Sequence, residues 1–489
     1  MRYLLQKWGR PFFTIYFALS LATFGSSSCA HYYVNSPVQR LPSAGETYSF
    51  SSVQPKTNPL FVCLSFSGGG TRAAALAYGV MEELNATPVA GEKGVTLLDH
   101  VACISSVSGG SFPAAYYGLF GKRIFRDFRT RMLERNLEKA TILRAITPVN
   151  VFRLLSPEFS RSDLAAETYD SEIFEHKTYG DLIAQKDRPY IVLNATDLAT
   201  ESSFEFTQDQ FDLIGSNLVD YPIARAVTAS SAFPILLTPI SLYNNPVPPG
   251  FQPPPELTNG VKSYYADPRR YHRDRTELDY LDLKSERPFI HLVDGGLADN
   301  IGLRPIENAY QESDGFIRPL INGRLIKQFV VVVVNARTVS EDTLSQNESP
   351  PGVLTVGLKT ATTAMDNYSF ETVQFARDLV NEDWKAKQTI EHCEQQITHK
   401  CGGNSSLPTL PDMKPYVIEV NFEAIKDRDR RNYFQNMPTN FALTKEQVQE
   451  LIDVAKELLV SNPIFQCLEN DLEHPDRASR DCALSPGGP

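Results

Sequence analysis

Apolar residues fall along the chain in short blocks set off by glycine. LFVCLSF (60–66) is a continuous apolar run bounded by turn residues, as expected of a strand covered on both faces. SGGGT follows, and then TRAAALAYGVMEEL (71–84), rich in good helix formers. VACISSV (101–107), SGG and SFPAAYYGLFG (111–121) repeat this order of strand, glycine turn and helix, with Pro113 tolerated in the first turn. Further strand-like runs are YIVLNAT (190–196), FIHLV (289–293) and FVVVVVNA (329–336). Strands interleaved with helices predict an α/β fold, a three-layer sandwich with a mostly parallel central sheet between helical layers.

Elsewhere the pattern changes. NNPVPPGFQPPPE (244–256) and a charged stretch over 262–287 interrupt the alternation, so 243–288 reads as one surface insertion. Thr444 and Gln447 predict a capping box. Val448, Leu451, Ile452, Ala455, Leu458 and Leu459 follow at helical spacing, as a core-facing stripe. Residues 60–310 hold the main domain, and 311–489 read as strands and helices that complete or cover it.

The amino terminus reads as an address. Lys7 and Arg10 precede PFFTIYFALSLATF (11–24), followed by Gly25, three serines, Cys29 and Ala30. A basic start, a short apolar run and small residues describe a secretory signal over 1–30, with Cys29 as a lipid-modified first residue, or with ordinary cleavage near Ala30 or an uncleaved anchor. The box around Cys29 resembles that of bacterial lipoproteins, with Ser26 where leucine is usual. The expected location is a bacterial cell envelope, periplasmic or tethered to a membrane. Polar, turn-rich residues 31–59 read as a linker. No stretch reaches the roughly 20 apolar residues of a spanning helix.

Export alters the reading of the cysteines. An oxidising compartment would let Cys393 pair with Cys401 and Cys467 with Cys482. HCEQQITHKC also gathers His392, Cys393, His399 and Cys401, but without the C-x2-C spacing of common zinc sites, so a disulfide is favoured over a metal. Cys63 and Cys103 lie in strand patterns and read as buried packing.

With 47 Lys plus Arg against 58 Asp plus Glu, the formal charge is −11, which excludes a general nucleic-acid binder. The apolar fraction of 42% is enough for a substantial core.

Three pieces carry chemistry. Ser108 stands at a strand-to-helix junction with Gly109 and Gly110 behind it, a geometry that exposes a serine beside free helix N–H groups. The pattern S-V-S-G-G has Ser106 in place of the first glycine of G-x-S-x-G. Ser67-Gly68-Gly69-Gly70-Thr71-Arg72 lets backbone N–H groups approach an oxyanion or a phosphate. A P-loop is excluded because no G-K-[ST] follows, and a dinucleotide loop because Ala73 stands at the third glycine position. Arg72 would steady the loop or attract an anionic head group. Asp294-Gly295-Gly296 follows FIHLV and places an acid at another strand end. A serine, an acid and oxyanion donors make up the parts of a serine esterase. A histidine base is the competing arrangement, with His291, His392 and His399 as its weak candidates.

These motifs resemble the patatin-like phospholipases, α/β acyl hydrolases with a Ser–Asp dyad. SGGGTR (67–72) is similar to the family's oxyanion motif, SVSGG (106–110) to its nucleophile elbow and DGG (294–296) to its acid motif. LADNIGL (297–303), YIVLNATDLATES (190–202) and ARAVTASSAFPILLTPI (224–240) also resemble family blocks. The SVSGGS form is close to that of cytosolic phospholipase A-type enzymes. The resemblance implies a lipid acyl hydrolase acting at a membrane surface. Ser108 would be its nucleophile and Asp294 its base, with Gly68, Gly69, Gly70 and Gly109 around the oxyanion. Arg72, Gly110, Gly295 and Gly296 would support them, and no metal or organic cofactor is required. A silent lipid- or protein-binding protein of the same fold and an esterase of non-lipid substrates are the alternatives.

Overall fold

The computed structural model describes residues 35–40, 47–53, 58–185, 188–234, 236–338, 348–350, 352–401, 407 and 410–474. The leader with Cys29, and Cys482 near the other end, lie outside these residues.

Eight strands form one sheet. They are β1 (Leu60–Phe66), β2 (Val101–Val107), β3 (Tyr190–Asp197), β4 (Ser202–Glu205), β5 (Ile240–Tyr243), β6 (Phe289–Asp294), β7 (Gln328–Asn335) and β8 (Lys414–Asn421). The order is β5-β6-β3-β2-β1-β7-β8, with β4 paired to β3. β3, β2, β1, β7 and β8 run parallel, while β4, β5 and β6 join through antiparallel pairs. β1, β2 and β3 are buried along their whole length, as their unbroken apolar runs require. Helices flank this sheet, and a helical extension follows it. The Gly70–Ala86 helix crosses the Lys445–Val460 helix closely at Gly79, where a Cβ would meet the Ile452 carbonyl oxygen at 2.7 Å. Thr444 and Gln447 form the capping box of that second helix, and its apolar stripe is buried.

One run of β-pairing sets the geometry of the site. Asn194 pairs with Val107 of β2 and with Glu205 of β4, so β2 and β4 lie on opposite edges of β3. Ala195 to Asp197 pair with both β4 and β6, so β6 lies opposite β4. A strand has only two edges, and β2 and β6 therefore share one. β2 ends at Val107 opposite Asn194, and Asp294 of β6 takes the next position, opposite Ala195. The two strands run in opposite directions and meet by their carboxyl ends.

Several expectations are revised. The segment read as a linker is in part packed: Asn35 is fully buried and bonds to Ser216 and Tyr243, and the Tyr48 hydroxyl bonds to both the N–H and the carbonyl of Ile191. These side chains find partners far along the chain, which a local polar composition does not reveal. The 243–288 region, expected as a surface insertion, is held to the domain by its own buried side chains. Its Pro268–Asp282 helix buries Leu278 and Tyr280, and the Tyr280 hydroxyl donates to Asp197 at 2.8 Å.

The cysteines differ most. Cys63 and Cys103 sit in register on β1 and β2 and form a disulfide, where simple packing was expected. Cys393 is free and exposed. It shares the Val353–Cys401 helix with Cys401, and eight helical positions separate their Cα atoms by about 12 Å, beyond the reach of a disulfide. Cys467 is disulfide-bonded. No helix of the described residues is long and apolar enough to cross a membrane.

Candidate active site

The carboxyl ends of β2 and β6 bring Ser108 and Asp294 together. Ser108 has a φ of +51°, a left-handed backbone unusual for a residue with a side chain. The turn is enforced from both sides. A Cβ at Gly109 would overlap the Gly70 backbone, and one at Gly110 would lie 2.8 Å from the Phe66 carbonyl oxygen. Glycine pressed against the end of β1 and its loop thus throws Ser108 out of the strand, and the Ser111–Phe120 helix starts directly behind it. The Ser108 hydroxyl donates to Asp294 Oδ2 at 2.8 Å.

Asp294 is held on every side. Its Oδ1 accepts from the Gly296 N–H at 2.8 Å, its N–H donates to the Ala232 carbonyl at 3.0 Å, and its carbonyl accepts from the Thr196 hydroxyl at 2.9 Å. Glycine is needed after it, because a Cβ at Gly296 would sit 3.0 Å from Asp294 Oδ1 and one at Gly295 would overlap the Asn194 carbonyl. The carboxyl is buried, and that desolvation pushes its pKa up from 3.8 to about 6, against the opposing pull of the Gly296 and Ser108 hydrogen bonds. A carboxylate in that range is a better proton acceptor near neutral pH than an exposed aspartate.

The glycine loop lies alongside. Gly69 (φ +141°) and Gly70 (φ +60°) adopt backbones that disfavour a side chain, and they open the Gly70–Ala86 helix. The Thr71 N–H donates to the Asn440 carbonyl at 2.8 Å. Among the described residues no carbonyl takes the N–H groups of Gly69 and Gly70, which leaves them as first-turn donors beside Ser108. Gly68 departs from the expectation for the oxyanion group: its N–H is engaged with the Asn300 carbonyl at 3.0 Å. It fixes the loop against the β6 turn instead. Arg72 is buried, and its Nε donates to the Ala336 carbonyl at 3.0 Å while Nη1 donates to that of Met437. Of its two expected roles, these bonds support steadying the loop.

Two residues of this site were not singled out from sequence. Ser230 Oγ accepts the Ser108 N–H at 2.9 Å and donates to the Asn194 carbonyl at 2.6 Å. Asn300 wedges its side chain between Gly68 and Gly296. Both fall inside blocks quoted above, TASSAF and LADNIGL, but nothing local distinguishes them from ordinary polar residues. Among the histidines, His291 bonds to Ser241 at 2.8 Å, and His392 and His399 lie on the long Val353–Cys401 helix. No described histidine ring contacts Ser108 or Asp294.

The family model described as patatin-like phospholipase matches residues 64–307. The chain belongs to the patatin-like phospholipases. Among solved structures, human GIVD cytosolic phospholipase A2 is similar over 85% of this chain and 60% of its own, at 14% identity and a TM-score of 0.41. The chain therefore spans less than two thirds of that relative. VipD from Legionella pneumophila is similar over 86% of this chain and 70% of its own, at 13% identity and a TM-score of 0.28. ExoU of Pseudomonas aeruginosa, in complex with SpcU, is similar over 91% of this chain and 88% of its own, at 13% identity and a TM-score of 0.22. No curated protein matches the chain in sequence.

Proposed function

We propose that the protein cleaves fatty-acyl esters of membrane lipids through a Ser108–Asp294 dyad. The observation that carries this reading is the 2.8 Å hydrogen bond from a left-handed, glycine-backed Ser108 to a buried Asp294. In the reaction, Ser108 Oγ attacks the ester carbonyl as its proton passes to Asp294 Oδ2. The C–O bond to the lipid alcohol then breaks, and Asp294 returns the proton to the leaving oxygen. Water, deprotonated by Asp294 in turn, attacks the acyl-serine; the acyl C–O bond to Ser108 Oγ breaks, Asp294 returns the proton to Oγ, and the fatty acid leaves. The N–H groups of Gly69, Gly70 and Gly109 stabilise the charge on the carbonyl oxygen in both halves, while Gly68 and Arg72 hold the loop that presents them.

We further infer that the chain works in an oxidising envelope compartment. The buried Cys63–Cys103 disulfide and the secretory pattern of residues 1–30 support this.

Purified protein assayed on a labelled phospholipid and on p-nitrophenyl butyrate tests the proposal. Ser108→Ala and Asp294→Ala should each lower turnover at least 1,000-fold with folding intact, in keeping with loss of a nucleophile or its base. Activity retained in Asp294→Ala would overturn the dyad. No wild-type hydrolysis of either substrate would overturn the enzyme.

A further inference from the structure

The crossover from β2 to β3 carries an unusual surface. Ile142, Leu143, Ile146, Val149, Val151 and Leu155 are all exposed, from 42% at Val151 to 76% at Leu155. They lie on or directly after two short helices, Leu137–Ala145 and Pro148–Leu154, with Ile146 in the joint between them and Leu155 capping the second. Single exposed aliphatic residues are ordinary, but six within fourteen positions form a patch of the kind that marks an interaction surface.

The hairpin stands on the same side of the sheet as Ser108. Lys122, after the Ser111–Phe120 helix, bonds to Asp99 just before β2, so the chain has by then reached the amino edge. It then returns. The Leu137 N–H donates to the Phe441 carbonyl at 3.0 Å, and the neighbouring Asn440 carbonyl accepts from Thr71 of the glycine loop. At the other end, Arg153 pairs with Glu167 of the Arg161–Tyr169 helix at 2.5 Å. Asp163 of that helix pairs with Arg225 at 2.7 Å, on the helix that ends in Ser230 beside Ser108. Both feet of the hairpin thus rest on walls of the candidate site.

Its charge also departs from that of the chain. Residues 137–161 carry Lys139, Arg144, Arg153 and Arg161 against Glu138 and Glu158; Arg153 is paired with Glu167, so Lys139, Arg144 and Arg161 make up the basic border, whereas the whole chain has a formal charge of −11. An apolar face with a basic border beside a lipid-cleaving site matches an anionic bilayer surface.

We propose that the 137–155 hairpin docks the protein on anionic membranes by inserting its exposed aliphatic residues into the headgroup–acyl boundary. This rests on the lipid-hydrolase reading for its purpose, but its test does not depend on turnover. The probes are vesicles of phosphatidylglycerol and phosphatidylethanolamine (1:3) with brominated acyl chains. Val149→Trp, placed in the full chain with Ser108→Ala, should show fluorescence quenched at least twofold beyond that of the Ser108→Ala parent. Ile146→Asp with Val149→Asp, in the otherwise native chain, should lower vesicle phospholipid hydrolysis at least tenfold and leave dispersed p-nitrophenyl butyrate hydrolysis and Tm unchanged. An unquenched Val149→Trp, or full vesicle hydrolysis in the double variant, would overturn the docking role even with the hydrolase intact. Quenching without any wild-type hydrolysis would support docking and overturn the enzyme. A dimer that dissociates on the double substitution, with no quenching by vesicles, would assign the face to a second copy and overturn the proposal.

Discussion

Ser230 accepts the backbone N–H of Ser108 at 2.9 Å. The same hydroxyl donates to the Asn194 carbonyl at 2.6 Å and lies 2.9 Å from the Ser111 hydroxyl. It therefore ties the strained elbow to β3 and to the first turn of the following helix. Because Asn194 is the last β3 residue paired with β2, Ser230 sits at the junction where β6 takes over. A side chain outside both motifs thus holds the point at which they meet.

Ser230→Ala should loosen this point without touching substrate. The Ser108 N–H and the Asn194 carbonyl would lose a buried partner, at a stability cost of about 1–3 kcal/mol. We expect kcat to fall about 10-fold to 100-fold with KM little changed, since the nucleophile remains but its direction is less fixed. Ser230→Thr, which restores the hydroxyl, should recover part of that loss. Steady-state kinetics on p-nitrophenyl butyrate, with Tm measured beside it, would decide. An unchanged kcat in Ser230→Ala would remove the positioning role.

The raised pKa of Asp294 gives a second expectation. As a base it must be ionised, so kcat/KM should rise with pH, reach half its plateau near pH 6 and level off above it. The same shift bears on stability with the opposite sign. A carboxyl whose folded pKa exceeds its unfolded value favours folding fully only below the unfolded value, and that contribution is lost as pH rises through about 6. Asp294→Asn should therefore abolish turnover yet unfold at a higher temperature than wild type at pH 8, with the difference vanishing at low pH. A pH–rate profile flat between 5 and 8 would exclude Asp294 as the titrating base.

Much of this arrangement is legible in the sequence because it depends on local rules. Short apolar runs such as LFVCLSF and VACISSV, bounded by turn residues, read as buried strands, and the SGG and DGG turns mark strand ends. What was not legible depends on register and on distant partners. Cys63 faces Cys103 only because β1 and β2 align at those residues, and no count along the chain supplies that alignment. Gly68 looks identical to its neighbours until Asn300 takes its N–H. The Cys393 segment is polar because few of its side chains meet the core, and nothing local marks it as a helix. It is helical as the far end of a helix whose buried side chains include Val373, Ala376 and Val380.

The Cys63–Cys103 link joins adjacent parallel strands across a sequence separation of 40 residues and is buried with them. Closing a loop of that length is worth about 4 kcal/mol on the chain-entropy account. Both strands also position the site, β1 through the glycine loop and β2 through Ser108. We expect the folded protein to resist reductant and keep its activity, since the sulfurs are inaccessible. Protein refolded under reducing conditions should melt several degrees lower. Calorimetry of oxidised and reduced samples would test this, and equal melting temperatures would deny the link a stabilising role.

Glu307 carries the last expectation. It lies on the Arg304–Gln311 helix, is buried, and neither carboxyl oxygen has a hydrogen-bond partner among the described residues. Burial first, and the nearby Asp299 second, push its pKa from 4.5 to about 8, against the weaker pull of Arg269 and Arg304. The side chain is thus neutral through much of the physiological range. Its contribution to stability is full below the ordinary glutamate value, declines as pH rises, and is gone once pH passes about 8. Glu307→Gln keeps the shape and removes the titration. It should match wild type near pH 5 and exceed it by about 2–4 kcal/mol at pH 9, which denaturant unfolding at the two pH values would measure. Asp299 accepts the N–H groups of Ile301 and Arg304 in the turn beside Asn300. A charge forced onto Glu307 would press on that turn and, through the Asn300 carbonyl, on Gly68. Glu307→Gln should accordingly blunt any loss of esterase activity that wild type suffers between pH 8 and 9. An identical alkaline decline in both proteins would confine Glu307 to stability alone.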